Sequence, residues 1–483
     1  MRIFLLLLCG SLCGQSIRVE RMRRDLEALS SKEMNGRASL EPGGEKAARY
    51  IEAEMTKAGV KTQLQEFDLI APVADRDQSH VSYRGETLAF TGGFKDDVTV
   101  KGAAVFAGYG ITAPEYNYDD YRGIDVTGKI VVVFDREPQE RDAQSKFLGL
   151  GLTKHAAART KRLNAQLHGA AAVLVIPSPM SLSAPAVSAR TPLRGGATAM
   201  FDELTRIAML TLQAGSAEKL LPGYKKIQER IDETGQPASR TIDGEVEIKL
   251  ANKSRRVGKS WNAIGVLPGQ EPSVVLLTSH YDHLPARGEN YYPGANDNGS
   301  GTVGVIELAR AFASSGQKPK KTVVFISFGA EENGLYGAYH YVAHPLFPLG
   351  ETKALINLDM IGRDEAHTPQ TEGRVIVPKD TRNHLNLVGG AYFPELRKLV
   401  ERANRGVGLK LDDKFDHDST QNTLWRCDHF PFLLAKVPDI WFFGGWHPGY
   451  HEPSDTVEKI NWTKMEKVVR LAYLTAARVA NSK

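Results

Sequence analysis

The sequence predicts an α/β fold, a doubly wound and mostly parallel mixed sheet that is flanked by helices. From about residue 255 onward, short apolar runs typical of buried strands alternate with stretches of helical periodicity. Such alternation is typical of a sheet that helices cover on both faces. Polar residues also follow these runs where the strands should end, and ligand sites in parallel sheets form beyond the carboxyl ends of the strands.

The first half of the chain has a different character. Residues 20–58 show helical periodicity that is broken by turn residues, and residues 60–110 change to the alternation typical of strands. From about 100 to 250 we predict a separate unit. Its elements are strands at 130–134 and 170–176, a helix at 159–167, a loop at 183–198 and a basic connector at 253–259.

These observations predict a discontinuous organisation. Residues 17–70 and 255–483 form one domain, and residues 71–254 form a β-rich domain that is inserted into it. Within the second segment, the strands and helices follow one another in a regular order. The predicted strands are 274–278, 322–327, 354–358 and 440–443, and the predicted helices are 302–312 and 465–479.

The N-terminus has the pattern of a secretory signal peptide. A positively charged start is followed by an apolar run at 3–8 and then by small and polar residues. We therefore expect residues 1–16 to be removed and the protein to be exported to the periplasm, the cell surface or the medium. The alternative is a buried N-terminal strand or helix. Residues 10–12 match a lipoprotein signal poorly, which argues against lipid anchoring at Cys13.

Composition limits the remaining classes. The 483 residues carry a net charge of only +4, and no basic block is interleaved with aromatic residues, so no nucleic-acid partner is expected. No stretch after the leader is long and apolar enough to keep the mature chain in a membrane. Only Cys427 lies outside the leader, so the mature chain can form no internal disulfide and must rely on its core or on bound metal.

Four of the predicted strands deliver carboxylates or imidazoles to one edge of the sheet, and a Gly- and Asn-rich loop at 294–301 adds an aspartate. The residues are His280 and Asp282 after the first strand, Asp297 in the loop, Glu331 and Glu332 after the second strand, Asp359 after the third, and His451 after the fourth.

Each of these pieces has a simpler explanation when it is taken alone. His280 and Asp282 could be a surface pair, Asp297 could belong to a capping loop, and the two glutamates could be a solvated pair in a first helical turn. Asp359 is harder to explain in this way because a buried, unpaired carboxylate is costly. The occurrence of all of them, in this order, favours a functional site.

The chemistry of the set fits zinc. Zinc binds imidazole nitrogen and carboxylate oxygen, and two zinc ions about 3.5–4 Å apart need a shared carboxylate to offset their repulsion. Three carboxylates would leave a two-zinc site with one positive charge. Glu331, beside a ligand but not itself bound, could accept a proton from water, and Asp282 could hold the ring of His280.

These motifs resemble the co-catalytic zinc exopeptidases, the family of bacterial leucyl aminopeptidases, glutamate carboxypeptidase and the transferrin receptor. The resemblance implies the zinc exopeptidase fold and two Zn²⁺ ions. It implies ligands at His280, Asp297 (bridging), Glu332, Asp359 and His451, catalytic roles for Glu331 and Asp282, and a carbonyl-polarising role for Tyr450. The segment 428–432 is also similar to a family segment. Pro285 and Glu452 depart from the usual pattern.

The inserted unit resembles a protease-associated domain. Segments 128–133 and 168–173 carry this likeness, and segment 262–269 resembles the family's return to the catalytic domain.

The resemblance implies hydrolysis of peptide substrates at a free end, most directly by an aminopeptidase. A carboxypeptidase or dipeptidase of the same family is an alternative, although no arginine for a terminal carboxylate can be singled out from the sequence. A glutaminyl cyclase shares the fold but lacks the first histidine ligand, so His280 argues against it. A receptor-like binding module with a dead site is the alternative from another class, and the complete ligand set argues against it.

Overall fold

The structure is a computed structural model that describes residues 17–92, 94–178, 199–200, 204–369, 371–418 and 420–482. The predicted signal peptide 1–16 and the predicted loop 183–198 lie outside the described residues.

Helices and strands alternate irregularly in the first half of the chain and regularly in the second. The α-helices are α1 (Val19–Leu29), α2 (Pro42–Lys57), α3 (Ala158–Leu167), α4 (Ala214–Leu220), α5 (Tyr224–Thr234), α6 (Gly301–Ala313), α7 (Tyr336–Ala343), α8 (Pro394–Asn404), α9 (His429–Leu434) and α10 (Trp462–Asn481). The strands are β1 (Lys61–Ala74), β2 (His80–Tyr83), β3 (Glu86–Leu88), β4 (Phe90–Thr91), β5 (Val98–Phe106), β6 (Thr112–Ala113), β7 (Tyr118–Asp119), β8 (Ile130–Phe134), β9 (Ala172–Ile176), β10 (Ala199–Met200), β11 (Ala208–Leu212), β12 (Arg240–Leu250), β13 (Asn252–Leu267), β14 (Glu271–His280), β15 (Lys321–Phe328), β16 (Thr352–Asp359), β17 (His384–Val388), β18 (Lys410–Asp412) and β19 (Asp439–Phe443).

The larger sheet is mixed, as predicted, and its centre is parallel. Its order is β10-β1-β13-β15-β14-β16-β19-β17-β18. Neighbours among β15, β14, β16 and β19 run parallel, whereas β1, β13 and β17 pair antiparallel with their neighbours in the sheet, apart from the parallel pair β17–β18. All eight residues of β15 are buried, because strands covered on both faces can be apolar without interruption.

Helices cover both faces of this sheet, and alternate side chains of β14 show the two layers. Val275 and Leu277 pack in the core that holds α1, α2, α6, α8 and α10. Val274 and Leu276 pack on the opposite face, in the core that includes α7 and α9. The period of two along a strand therefore places neighbouring apolar residues in two different cores.

The smaller sheet has the order β3-β2-β12-β5-β8-β9-β11-β4 and packs with α4 and α5 around its own core. Its strands lie between residues 80 and 250, the region in which we predict the inserted unit. β1 and β13 are paired from Lys61–Val266 to Ala74–Asn252. The predicted boundaries at 70/71 and 254/255 therefore fall inside paired strands, and the division into domains stays a prediction.

The prediction of a basic connector at 253–259 is wrong, because this segment is the first half of β13. One of its basic residues, Lys259, is paired with Asp68 of β1. Lys259 Nζ lies 2.6 Å from Asp68 Oδ1 and 3.0 Å from Glu66 Oε1. Opposite charges on paired strands stabilise a register, so the charge run belongs to a strand. Among the described residues, no helix combines the length and apolarity that crossing a bilayer requires.

Candidate metal centre and active site

The four strand ends that the sequence singles out are neighbours in the sheet. β14 ends at His280 and β16 ends at Asp359, and a turn after β15 carries Glu331 and Glu332. His451 lies in the turn region after β19 and has a positive φ of 57°. Because these strands are parallel and adjacent, their carboxyl ends bring the side chains to one place.

Two groups of possible metal ligands form there, and Asp297 belongs to both. One group contains His280, Asp297 and Asp359, and the other contains His283, Asp297, Glu332 and His451, with donor atoms within 4.8 Å of one another.

The distances within the two groups are short. His280 Nε2 lies 3.4 Å from Asp359 Oδ1 and 3.7 Å from Asp297 Oδ1. His451 Nε2 lies 3.1 Å from Asp297 Oδ2 and 3.1 Å from Glu332 Oε2. These side chains are at most 16% exposed, so neither a surface pair nor a solvated acidic pair describes them.

The donor set fits a divalent cation. Asp297 Oδ2, Asp359 Oδ1 and His451 Nε2 are buried and make no hydrogen bond with described protein groups. Although burial opposes the charged imidazolium, the charge of Glu332 and the contacts with Asp297 raise the pKa of His451 to about 10. Carboxylates crowded in this way need positive charge, which zinc supplies to imidazole and carboxylate donors.

His283 is a member of the second group that the sequence analysis did not single out. Its Nδ1 lies 3.0 Å from Glu332 Oε1, and its buried ring meets the ring of His451 edge to face at 5.6 Å. A Cβ atom on Gly294, where φ is +53°, would lie 2.5 Å from the His283 ring, so glycine is required there. The sequence feature that could have indicated His283 as a ligand is its position, three residues after His280 and directly after the same strand.

Glu331 lies in the same pocket but belongs to neither ligand group. Its side chain is 10% exposed, and its Oε2 lies 3.8 Å from His280 Nε2. Burial, together with the neighbouring charge of Glu332, raises the pKa of the Glu331 carboxyl well above its ordinary value. A carboxylate with a raised pKa is suited to accept and return a proton.

Asp282 connects two loops of the site. The ring Nδ1 of His280 lies 3.2 Å from the backbone oxygen of Asp282 and 3.8 Å from its carboxylate. The carboxylate instead accepts the backbone N–H of Glu331 at 2.9 Å and that of Glu332 at 3.4 Å. Its contacts thus favour a role in placing the glutamate turn over the predicted role of holding the ring.

Two further buried charges hold the loops that carry the candidate ligands. The Arg37 guanidinium donates to the backbone oxygens of Leu29, Tyr281, Pro293 and Gly294. Asp455 Oδ2 accepts the backbone N–H groups of Asn296 and Asp297, at 2.8 and 3.0 Å. The sequence gives no periodic signal for either contact, because both join segments that are distant in the chain.

Cys427, the cysteine outside the leader, lies behind Asp359. Its Sγ donates to Asp359 Oδ2 at 3.0 Å and accepts from Asn357 Nδ2 at 3.0 Å. All three side chains are buried. The cysteine is therefore a neighbour of a candidate ligand, a role that its position in the sequence does not reveal.

One wall of the pocket is aromatic. The Tyr450 ring stacks on that of His451 at 3.9 Å and meets Trp446 edge to face at 4.9 Å. Met360, Trp441 and Arg426 complete the lining beside the acidic residues. Burial raises the pKa of the Tyr450 hydroxyl well above its usual range, so this group stays protonated and can donate a hydrogen bond.

Comparison with known proteins places the site within a matched region. The sequence model of Peptidase family M28 matches residues 262–476. Aminopeptidase YwaD of Bacillus subtilis (strain 168) is 26% identical over 438 residues, which is 87% of this chain and 76% of that protein. A probable zinc metalloprotease of Pyrenophora tritici-repentis is 36% identical over 224 residues, 45% of this chain and 46% of that protein.

A solved structure has a similar fold over nearly the whole chain. The aminopeptidase from Aneurinibacillus sp. strain AM-1 superposes with a TM-score of 0.54 at 21% identity, covering 97% of this chain and 96% of that one.

Proposed function

The chain belongs to peptidase family M28, and from that premise we propose that it is a zinc-dependent aminopeptidase that uses two zinc ions and Glu331 as its general base. One observation carries the proposal. Two ligand groups share Asp297, and a buried carboxylate that belongs to neither group lies in the same pocket. A shared carboxylate is what a pair of metal ions requires, and a free one is what proton transfer requires.

The candidate ligands fall into two metal-binding groups. Asp297 bridges the two groups, His280 and Asp359 complete one, and Glu332 and His451 complete the other, with His283 beside it. Zinc held there would supply Lewis-acid polarisation of the scissile carbonyl and would lower the pKa of water.

The protein's own groups move the proton. Glu331 takes a proton from the attacking water and returns it to the scissile amide nitrogen, which leaves as the new amino end of the shortened peptide, so that the carboxyl ends the cycle unprotonated. The Tyr450 hydroxyl donates a hydrogen bond to the carbonyl oxygen as negative charge develops on it. Asp282 fixes the backbone of the Glu331–Glu332 turn and so keeps the base at a constant distance from the substrate.

The names of the relatives support the amino end as the site of attack, since YwaD is an aminopeptidase. The acidic lining also suits a protonated terminal amine. Peptides with a blocked amino end and the same peptides with a blocked carboxyl end provide the test. An aminopeptidase tolerates C-terminal amidation and rejects N-terminal acetylation, and the reverse pattern would identify a carboxypeptidase.

Substitution of the base separates chemistry from metal binding. We expect Glu331→Gln to keep two zinc ions per chain by elemental analysis and to lower kcat on aminoacyl-p-nitroanilides by about 10²- to 10⁴-fold, because the amide cannot accept the proton.

The exposed Glu229 on α5 provides the matched control. Glu229→Gln removes the same charge far from the pocket and should leave kcat unchanged. Turnover of Glu331→Gln at the wild-type rate, with both metals bound, would show that another group is the base.

We also propose that the protein is exported after removal of residues 1–16 and that residues 71–254 form an inserted domain. N-terminal sequencing of the secreted protein tests the first proposal. Limited proteolysis at the β1–β2 and β12–β13 connections, followed by a zinc assay of the fragments, tests the second.

A further inference from the structure

Arg426 brings a positive charge to a pocket whose other charged groups are the carboxylates and imidazoles described above. It lies between the short helical turn Thr423–Trp425 and Cys427, and it lines the same pocket as Glu331 and Tyr450. Neither zinc binding nor proton transfer, as derived above, uses this guanidinium.

The guanidinium is stacked and half-buried. Its central carbon lies 4.6 Å from the centroid of the Trp446 ring, and Nη1 donates to the backbone oxygen of Gln421 at 3.3 Å. No carboxylate of the described residues forms an ion pair with it. A guanidinium has five N–H donors in a planar fork, and stacking on a ring occupies the face and leaves the edges available.

Two arginines that are more deeply buried are compensated within the protein. Arg310 pairs with Asp25 and with Glu54, and Arg37 donates to four backbone oxygens. Arg426 differs because its contacts in the described structure leave most of its donors available. A cation kept in this way in a pocket wall is suited to an anionic group on a ligand.

Its position relative to the reacting groups is set by two aromatic rings. Arg426 stacks on Trp446, Trp446 contacts Tyr450, and Tyr450 stacks on His451. Arg426, both rings and the candidate metal ligands line one pocket. A substrate held at the metal ligands can therefore extend to the guanidinium.

We propose that Arg426 binds a carboxylate of the substrate and makes this enzyme selective for peptides that carry one near the cleaved bond. The carboxylate is either the C-terminus of a dipeptide or tripeptide, or the side chain of an aspartate or glutamate. This inference rests on the proposed aminopeptidase function and adds a substrate class to it.

Three substrates distinguish the two sources, namely Leu-Ala-amide without a carboxylate, Leu-Ala with a C-terminal one, and Glu-Ala-amide with a side-chain one. We compare kcat/KM for the preferred carboxylate substrate with kcat/KM for Leu-Ala-amide. In Arg426→Gln, the ratio of these two values should fall by about 10- to 100-fold, because the variant loses a charged hydrogen bond. Arg426→Lys should recover part of the ratio because it keeps the charge without the fork.

Arg23 provides the matched control, because it stacks on Trp462 at 4.8 Å and is exposed on α1, away from the pocket. Arg23→Gln should leave the ratio unchanged. If Arg426→Gln lowers the rates on all three substrates equally, Arg426 only shapes the wall and the inference is wrong. It is equally wrong if no ratio changes.

Failure of the proposed function would look different, because zinc-loaded wild-type protein would then hydrolyse none of the three substrates. Calorimetric binding of Leu-Ala and Leu-Ala-amide to zinc-loaded Glu331→Gln protein, in which hydrolysis is slow, tests the inference without turnover. If Arg426 binds the C-terminal carboxylate, Arg426→Gln should abolish the preference for Leu-Ala over Leu-Ala-amide. If it binds a side-chain carboxylate, Arg426→Gln should abolish the preference for Glu-Ala-amide over Leu-Ala-amide. Equal affinities of the Glu331→Gln protein, with Arg426 intact, for all three ligands would overturn the inference.

Discussion

At the scale of single residues, the thiol of Cys427 is a hydrogen-bond donor to a proposed metal ligand. Burial raises the pKa of this thiol well above its ordinary value, so the group keeps its proton and can donate to Asp359. A hydrogen bond to a ligating carboxylate fixes its orientation, and such contacts commonly change metal affinity 10–100-fold. The cysteine therefore belongs to the support of the site.

We expect Cys427→Ala to weaken zinc binding by about 10-fold or more, because Asp359 loses its donor. Cys427→Ser keeps a donor at the same position and should recover most of the affinity. Competition with a chromogenic chelator measures the affinity without any assay of activity. Equal zinc affinity in wild-type protein and Cys427→Ala would show that the contact does not position Asp359.

At the scale of elements, the strands place some of the candidate ligands directly, and the segments between the strands place the others. The side chains at the ends of β14 and β16 are placed by the sheet itself. Asp297 lies in a short, irregular helical turn, Ala295–Ser300, and His283 lies on a loop. Arg37 satisfies the carbonyl groups of these loops from one side, so a residue in the N-terminal part of the chain determines the shape of the metal centre.

Removal of this guanidinium should loosen the loops. We expect Arg37→Met to lower the stability of the metal-free protein by on the order of 3 kcal/mol, since buried carbonyl groups lose their donor. Arg49→Met, which breaks an exposed pair with Glu45 on α2, should cost less than about 1 kcal/mol. Urea midpoints measure both effects, and equal midpoints for the two variants would contradict the expectation.

At the scale of the whole molecule, the segment between β8 and α3 contacts segments that follow β17 and β18, close to the pocket. Arg136 Nη1 donates to Asn422 Oδ1 at 2.7 Å, and the backbone N–H of Lys154 donates to the Tyr392 hydroxyl at 3.0 Å. Asn422 directly precedes the helical turn that leads to Arg426. The segment between β8 and α3 therefore supports the wall of the pocket from outside the larger sheet.

Metal binding should couple to pH through the imidazoles. The folded-state pKa of His451 is raised to about 10 in the metal-free protein. A raised histidine pKa contributes stability below the unfolded value near 6.5 and loses it as the pH rises towards 10. Zinc requires the neutral imidazole, so its binding releases protons and strengthens as the pH rises.

We therefore expect EDTA to lower the melting temperature, and we expect the difference between zinc-loaded and metal-free protein to widen from pH 6 to pH 8. Differential scanning calorimetry with and without EDTA measures this difference. Titration calorimetry in buffers of different ionisation enthalpy counts the protons released. A difference that narrows as the pH rises would show that the imidazoles do not bind the metal.

The central strands of the larger sheet and most of the candidate site can be predicted from the residue pattern alone. A continuous apolar run such as residues 323–326 of β15 indicates a strand in a covered sheet, and the carboxyl ends of parallel neighbours lie at the same edge. His280, Glu331 and Asp359 could therefore be predicted to meet, because their separation is set by strand order and not by loop detail.

The groups that support these residues become visible only in the folded structure. Arg37, Cys427 and Asp455 act across long separations in the chain, and no local period marks such contacts. The basic run at 253–259 was misread for the same reason, since its acidic partners lie on distant segments, among them Glu41, Asp68 and Asp96. A local pattern reports burial and backbone geometry, whereas the pairing of a single charge or thiol depends on which distant segment folds against it.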